Sequence, residues 1–476
     1  MKMDYDDVAW ERSDIIFDGF KEKIISPEVL LAVTKFMASH HPDSKPVDRA
    51  RIADLGAFNL CFRMIFEDGF SSLLRFPCPG RVMFPEEKVR NEVDVMTFLK
   101  ENTNIPVPNI IHHGMGDESP AGLGPFILME YVAHASNSAT QLRAPGYEKG
   151  DRPFLNPDIE EEKLVSFYGQ VANILLELSK LSFDKIGSLS RNNNANGWSI
   201  SNRPLTMNMN ELVQLGNFPP QMLPQSPYTT ASSYYQTLAR TEFMHLETQR
   251  NDAVNSEEDC RSKYISRKLF IKLAAESRLH NHDTDSGPFK LFCDDLRPTN
   301  ILLDDDMNIA AVIDWEFTYA APAEFTHSPP WWLLLEMPEE WPHGLLDWTA
   351  KYQPCLEIFL RALKQQEDAS ITAGTLVEEQ RLSGKMQESW EQRDFWVQYG
   401  ARKSWAFDAV WLMIDAKFFG GDRVLDQRKL VCNEERMKLL SVADREAMEP
   451  FVRKKLEDSK QRKLDDWDEV DTVHLV

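Results

Sequence analysis

Apolar and polar positions follow two rhythms along this chain, and the change from one to the other divides it. From Arg51 to Val132 the order is strand-like, helical, then strand-like again: LCFRMIF, a turn at Glu67-Asp68-Gly69, SSLLRF, a helix from about Pro85 to Lys100, a Pro-rich turn IPVPN, and GPFILMEYV. This predicts a small sheet with one helix. After a polar stretch bearing Pro and Gly from about 133 to 157, Leu164, Phe167, Tyr168, Val171, Leu175 and Leu178 recur at helical spacing, which predicts a core helix over 160–181. The segment from about 191 to 228, rich in Asn, Ser and Pro, reads as an inserted loop. Helices resume over about 231–279, a strand-turn-strand follows at 300–314, and the chain beyond Pro329 is mostly helical with a charged tail. The expected organisation is an extension over 1–50, a sheet-bearing lobe over 51–132, a helical lobe core over 133–330 and a further helical part over 331–476.

Composition narrows the function classes. The 476 residues exceed a typical ~150-residue domain about threefold, so more than one core is expected. With 53 Lys and Arg against 75 Asp and Glu, the net charge of −22 disfavours a nucleic-acid partner. Cys61, Cys78, Cys260, Cys293, Cys355 and Cys432 show neither a C-x-x-C pair nor metal-ligand spacing, and read as reduced thiols of an intracellular protein. The acidic start MKMDYDDVAWERSDII lacks the features of a signal or transit peptide. No apolar run approaches the ~18 residues of a membrane span. A cytoplasmic location without membrane insertion is the expectation.

The stretch from Phe292 to Glu316, FCDDLRPTNILLDDDMNIAAVIDWE, carries the chemistry. Asn300 and Asp314 lie symmetrically about residue 307 in the turn signal Asp304 to Asn308, so an antiparallel hairpin would set them opposite one another, with Cα atoms roughly 4.5 to 5.5 Å apart. An amide oxygen beside a carboxylate suits Mg²⁺, which takes few protein ligands and completes its shell with water and phosphate oxygens. Asp295, five residues before Asn300, is then free to act as a base. Asp294 and Asp304 to Asp306 read as turn and surface residues.

Cys293-Asp294-Asp295-Leu296-Arg297-Pro298-Thr299-Asn300 and Ile313-Asp314-Trp315-Glu316 resemble the catalytic-loop and metal motifs of the aminoglycoside phosphotransferase and choline kinase group of the protein-kinase-like superfamily. The resemblance covers roughly 51–332 and implies an α+β, two-lobed fold with a small N-terminal sheet lobe. The implied activity is an ATP- and Mg²⁺-dependent transfer of the γ-phosphoryl group to a small-molecule hydroxyl. It further implies that Asp295 orients or deprotonates the acceptor, while Asn300 and Asp314 hold Mg²⁺ on the phosphates. This chain departs from the usual HGDLHPGN at Cys293, Asp294, Arg297 and Thr299. Arg297 looks more like the basic residue of protein kinases, whose fixed cation neutralises charge on the transferred group.

A second cluster lies far upstream. Glu92 falls among Val89, Val93 and Met96 on the apolar face of its helix, where a carboxylate needs a cation, and Arg75 at the end of SSLLRF is the best-placed candidate. By the resemblance Arg75 touches the nucleotide phosphates and pairs with Glu92; a purely structural pair is the alternative. Asp54-Leu55-Gly56-Ala57-Phe58-Asn59 stands where a phosphate-covering loop belongs, with Gly56 and Asn59 as candidate backbone contacts, although one glycine fits a plain β-turn equally. Main-chain groups near Glu130 and Val132 would meet adenine. Nine of the twelve tryptophans follow residue 321, where their faces and the scattered acids are compatible with a cationic acceptor; packing in a helical core is the competing reading. Two rivals stay open: a catalytically impaired nucleotide-binding module, motivated by the altered loop, and a protein kinase, disfavoured by the missing glycines and the lack of an Ala-Pro-Glu segment.

Overall fold

The computed structural model describes residues 2–148, 150–191, 197–420 and 433–467. Cys432 and the last part of the charged tail, 468–476, lie outside the described residues. Two helices precede the first strand: α1 (Asp7–Ile24), whose N-terminal N–H groups at Val8 and Ala9 donate to the Asp6 carboxylate, and α2 (Pro27–Ser39), capped by Ser26. Strands β1 (Arg51–Leu55), β2 (Asn59–Ile65), β3 (Ser71–Pro77), β4 (Ile110–Gly114) and β5 (Phe126–Glu130) form one antiparallel sheet in the order β1-β2-β3-β5-β4, with α3 (Pro85–Asn102) between β3 and β4.

Period-two alternation decides what the sheet presents on each face. Leu60, Phe62 and Met64 of β2 and Leu74 and Phe76 of β3 point to one side, where they pack with Phe20, Ile24, Val29, Val33 and Met37 of α1 and α2. Cys61 and Arg75, paired across β2 and β3, point to the other. The N-terminal extension is therefore the outer layer of the first lobe, and the sheet's remaining face is free to line a cleft.

The second lobe is mostly helical. It contains β6 (Ser136–Asn137), α4 (Ser138–Leu142), α5 (Glu161–Lys180), β7 (Ser188–Arg191), β8 (Trp198–Asn202), α6 (Met207–Leu215), α7 (Ala231–Thr248) and α8 (Glu257–Ala275). Next come β9 (Lys290–Cys293), β10 (Ile301–Leu303), β11 (Ile309–Val312), β12 (Thr318–Ala321) and α9 (Ala323–Thr326), then α10 (Leu345–Thr372), α11 (Ser383–Glu391), α12 (Asp394–Arg402) and α13 (Phe407–Asp415). Two further helices cover Asn433–Met437 and Val442–Ser459. This is the α+β, two-lobed arrangement, with a small N-terminal sheet lobe, that the resemblance implies. The stretch expected as an inserted loop differs: it carries β8 and α6, because Thr206 caps a helix whose Met209, Leu212 and Leu215 enter the core despite the flanking prolines and asparagines. No helix among the described residues is long and apolar enough to cross a membrane.

Candidate functional site

A cleft of about 1020 Å³ lies between the sheet and the β10–β11 hairpin. Gly56, Asn59, Cys61 and Arg75 line it from the sheet and its β1–β2 turn, Glu130, Tyr131 and Val132 from the end of β5 and the segment after it, and Asp295, Arg297, Asn300, Asp314 and Glu316 from the second lobe. The chain thus gathers around one cavity the residues its sequence singled out, except Glu92, which lies behind Arg75 on α3 and is 1 % exposed.

Asp295 follows β9 in a short loop that ends at Asn300. Its Oδ1 lies 2.7 Å from Arg297 Nε, and its Oδ2 accepts from Asn300 Nδ2 at 2.9 Å. The same amide also donates to the Asp295 carbonyl at 2.9 Å, which leaves Asn300 Oδ1 as the group able to reach a cation. Burial pushes the Asp295 carboxyl up to about 6; Arg297 opposes the rise, and Asp314 and Glu316 add to it. Both Asp295 oxygens keep an unused lone pair.

The hairpin register departs from the expected symmetry. The strands pair Ile301 with Val312 and Leu302 with Ala311, then shift at Leu303, which faces Ile309. Ile313 N–H consequently bonds the Asn300 carbonyl at 2.9 Å, so Ile313, not Asp314, stands opposite Asn300. The cause is a five-residue turn from Asp304 to Asn308, closed by Asp304 N–H to Asn308 O at 2.9 Å, followed by a bulge. Asp314 lies one position beyond the pair with φ +61°, a left-handed conformation that turns the chain out of the strand.

Five buried or half-buried charges meet at the wall of the cleft, Arg75, Asp314 and Glu316 lining it and Lys88 and Glu92 behind them. Arg75 pairs with Glu92 through one terminal nitrogen and with Asp314 through the other, and its nearest Glu316 oxygen is 3.7 Å away. Lys88, one turn before Glu92 on α3 and 1 % exposed, lies 2.6 Å from Glu316 Oε2 and donates to Asn59 Oδ1 at 2.7 Å. Burial raises the Glu92 and Asp314 carboxyls, with Arg75 opposing in both. At Glu316 burial acts in the same sense but Lys88 and Arg75 outweigh it, so that carboxyl is held low. Glu92, Asp314 and Glu316 each bring an oxygen within 4.8 Å of the others, an all-oxygen set of the type a hard divalent cation takes.

Other predicted contacts fall as follows. Gly56 N–H bonds the Asn59 carbonyl at 2.9 Å and so closes the β1–β2 turn, while Asn59 acts through its side chain, whose Nδ2 donates to Glu316 Oε2 at 2.9 Å. Glu130 N–H is spent on the Asn109 carbonyl and its carboxylate on the Asn109 amide. Val132 N–H has no partner among the described residues, and its carbonyl meets His134 Nδ1 at 2.8 Å.

Three residues escaped the sequence reading. Lys88 was detectable, since it shares the Glu92 face at i−4; Glu316 was visible in Ile-Asp-Trp-Glu but assigned no partner. Asp294 is a correction: it is no surface turn residue, because its carboxylate pairs at 3.0 Å with Arg402, which packs against Phe292 and Phe325, and it also accepts from Met207 N–H. Glu211, one turn after Met207 on α6, faces the same side. Burial pushes its carboxyl up to about 7, opposed by Lys403 and reinforced by Glu339, Asp294 and Asp295.

A family model described as "Phosphotransferase enzyme family" matches residues 71–325. Among curated proteins, the chain is 23 % identical over 308 residues to "Altered inheritance of mitochondria protein 9, mitochondrial" of Debaryomyces hansenii, covering 56 % of this chain and 46 % of that protein. It is 26 % identical over 287 residues to "Clavilactone A biosynthesis cluster protein Y" of Ampulloclitocybe clavipes, covering 58 % and 62 %. The matches therefore span about half of these relatives' length. Similar solved structures include a macrolide 2'-phosphotransferase type I, at 16 % identity and TM-score 0.39 over 82 % of this chain and 93 % of that one. Another is an ethanolamine kinase of Plasmodium vivax, at 12 % identity and TM-score 0.41 over 88 % and 85 %.

Proposed function

This chain belongs to the phosphotransferase enzyme family, and from that premise we propose that it moves the γ-phosphoryl group of Mg·ATP to a hydroxyl of a small molecule. The observation that carries the reading is the convergence of Asp295, Asn300, Asp314 and Arg75 on one cleft. Asp295 accepts or orients the acceptor's hydroxyl proton. Burial raises its pKa to about 6, which makes it a stronger base yet still leaves it mostly ionised at neutral pH, and a loose transition state asks little more of it. Arg297 fixes the Asp295 carboxylate and offers a cation to the transferred group. Arg75 brings positive charge to the phosphates, and the unpaired Val132 N–H suits the adenine edge.

Asn300 Oδ1 and the Asp314 carboxylate fit Mg²⁺ because they are hard oxygen donors, and because Asn300 has already committed its amide hydrogens to Asp295. When bound, the ion would neutralise phosphate charge. Glu211, with the carboxylates of Glu339, Asp294 and Asp295 acting on it, supports a cationic acceptor. Five free cysteines among the described residues fit a reducing compartment such as the cytoplasm.

ATP turnover across a panel of alcohols and aminoalcohols tests the proposal. Asp295→Ala should lower turnover by roughly 10²- to 10⁴-fold, and a loss below tenfold would remove Asp295 from its role. Nucleotide binding without turnover on any acceptor of the panel would favour the binding-module alternative, which the replacement of the motif's usual residues by Cys293 and Asp294 motivates.

A further inference from the structure

We infer that Lys88 is a positioning residue that, together with Asn59, latches the single-glycine loop over the nucleotide phosphates to the segment between β11 and β12 that carries Glu316; the inference rests on the nucleotide reading above. The loop between β1 and β2 has only Gly56, so it lacks the run of glycines that lets a backbone wrap phosphates closely. Side chains tie it down instead. Asn59, the first residue of β2, donates from Nδ2 to Glu316 Oε2 at 2.9 Å and accepts at Oδ1 from Lys88 at 2.7 Å, while Lys88 Nζ lies 2.6 Å from the same Glu316 oxygen. Three elements, the β2 end of the loop, α3 and the segment entering β12, thus close a triangle across the boundary between the lobes.

The triangle is built to hold. Lys88 and Glu316 are each 1 % exposed, and an ion pair at that depth persists only when geometry and further hydrogen bonds offset the lost hydration. α3 grips the same segment a second time: Asn91, on the Lys88 face, donates to the carbonyls of Glu316 at 2.9 Å and Thr318 at 3.1 Å. With Oε2 committed to Lys88 and Asn59, Glu316 Oε1 is left without a hydrogen-bond partner among the described residues, in a side chain that lines the cleft. Lys88 itself does not line the cleft. It acts through Asn59, which sets the loop, and through Glu316, which sets the acidic wall below the phosphates.

The phosphate end of a nucleotide should therefore depend on Lys88 and the adenosine end should not. Binding of Mg·ATP and of adenosine is measured by titration calorimetry for wild type, Lys88→Met, Lys88→Arg and Asn59→Ala. Lys88→Met should weaken Mg·ATP at least tenfold and adenosine less than twofold, Lys88→Arg should recover part of the loss, and Asn59→Ala should weaken Mg·ATP severalfold. If Lys88→Met fails to fold, Asn59→Ala decides alone. Wild-type affinity for Mg·ATP in Lys88→Met and Asn59→Ala would overturn the latch and leave the proposed function standing. Equal losses of ATP and adenosine would also overturn it, because they would mark general support of the fold. Absence of ATP and GTP binding by the wild type would overturn the function and the latch together.

Discussion

Arg75, Lys88, Glu92, Asp314 and Glu316 meet where the two lobes meet; Trp348, Tyr352, Trp390, Phe395 and Trp396 meet in the far half of the helical lobe. Both groups are largely buried, but different forces hold them. In the aromatic cluster Trp348 stacks on Tyr352 at 4.4 Å between ring centroids, and Phe395 meets Trp396 edge-on at 4.9 Å. That is shape and dispersion, which stabilise without regard to pH or ligand. In the charged cluster, three carboxylates surround two cations, so the group carries a residual negative charge that a divalent cation would reverse. The aromatic cluster is neutral; the charged cluster is left with unbalanced negative charge.

Replacing one residue of the cleft beside the charged cluster and one of the aromatic cluster separates the two roles. Asp295→Asn, on the cleft side, should show the largest effect, a fall in turnover of 10²- to 10⁴-fold, equivalent to about 3 to 5 kcal/mol, measured with the folded fraction checked by circular dichroism. Trp348→Ala, in the aromatic region, should lower unfolding stability by about 3 to 5 kcal/mol in a urea titration, while the protein that remains folded binds Mg·ATP with unchanged affinity. Loss of nucleotide affinity in that variant would mean that the tryptophans serve the site after all.

A pH series sharpens the contrast. Turnover should fall as pH drops through about 6, where Asp295 protonates, and the aromatic region supplies no matching change. Stability moves the other way. A carboxyl whose folded pKa is raised from 3.8 to about 6 destabilises the fold progressively as pH climbs through that interval, and the cost is constant above it. Asp295→Asn should therefore gain stability relative to wild type between pH 4 and pH 6 and hold that difference to pH 8, as read by unfolding temperatures. The smallest effect belongs to an exposed pair outside both regions. Glu86→Ala removes the 3.0 Å contact to Arg90, half or more exposed on both sides, and should change stability by less than about 0.5 kcal/mol.

What the sequence disclosed follows the same division. Strand-like runs located β2 and β3, and the apolar neighbours of Glu92 pointed to Arg75 as the cation it needs, a pair the fold makes. The Asp295-to-Asn300 spacing and the Ile-Asp-Trp-Glu segment marked the second lobe's contribution to the cleft. Long-range pairings stayed hidden, because nothing local to Lys88 announces Glu316 or Asn59, and nothing near Asp294 announces Arg402. The hairpin register was off by one residue because a bulge leaves no reliable trace in the apolar pattern. The segment 1–50 reads from its sequence only as an extension, yet it folds into α1 and α2, whose Phe20, Ile24, Val29, Val33 and Met37 bury there and cover the sheet's outer face.

The central claim is that the cleft binds a metal-complexed nucleotide, and a thermal melt of the full chain tests it most directly. Mg·ATP at ~100 times Kd should stabilise the protein by about 2.7 kcal/mol and raise its unfolding temperature, with a smaller rise when EDTA removes the metal. An unfolding temperature that moves with neither Mg·ATP nor Mg·GTP would contradict the account.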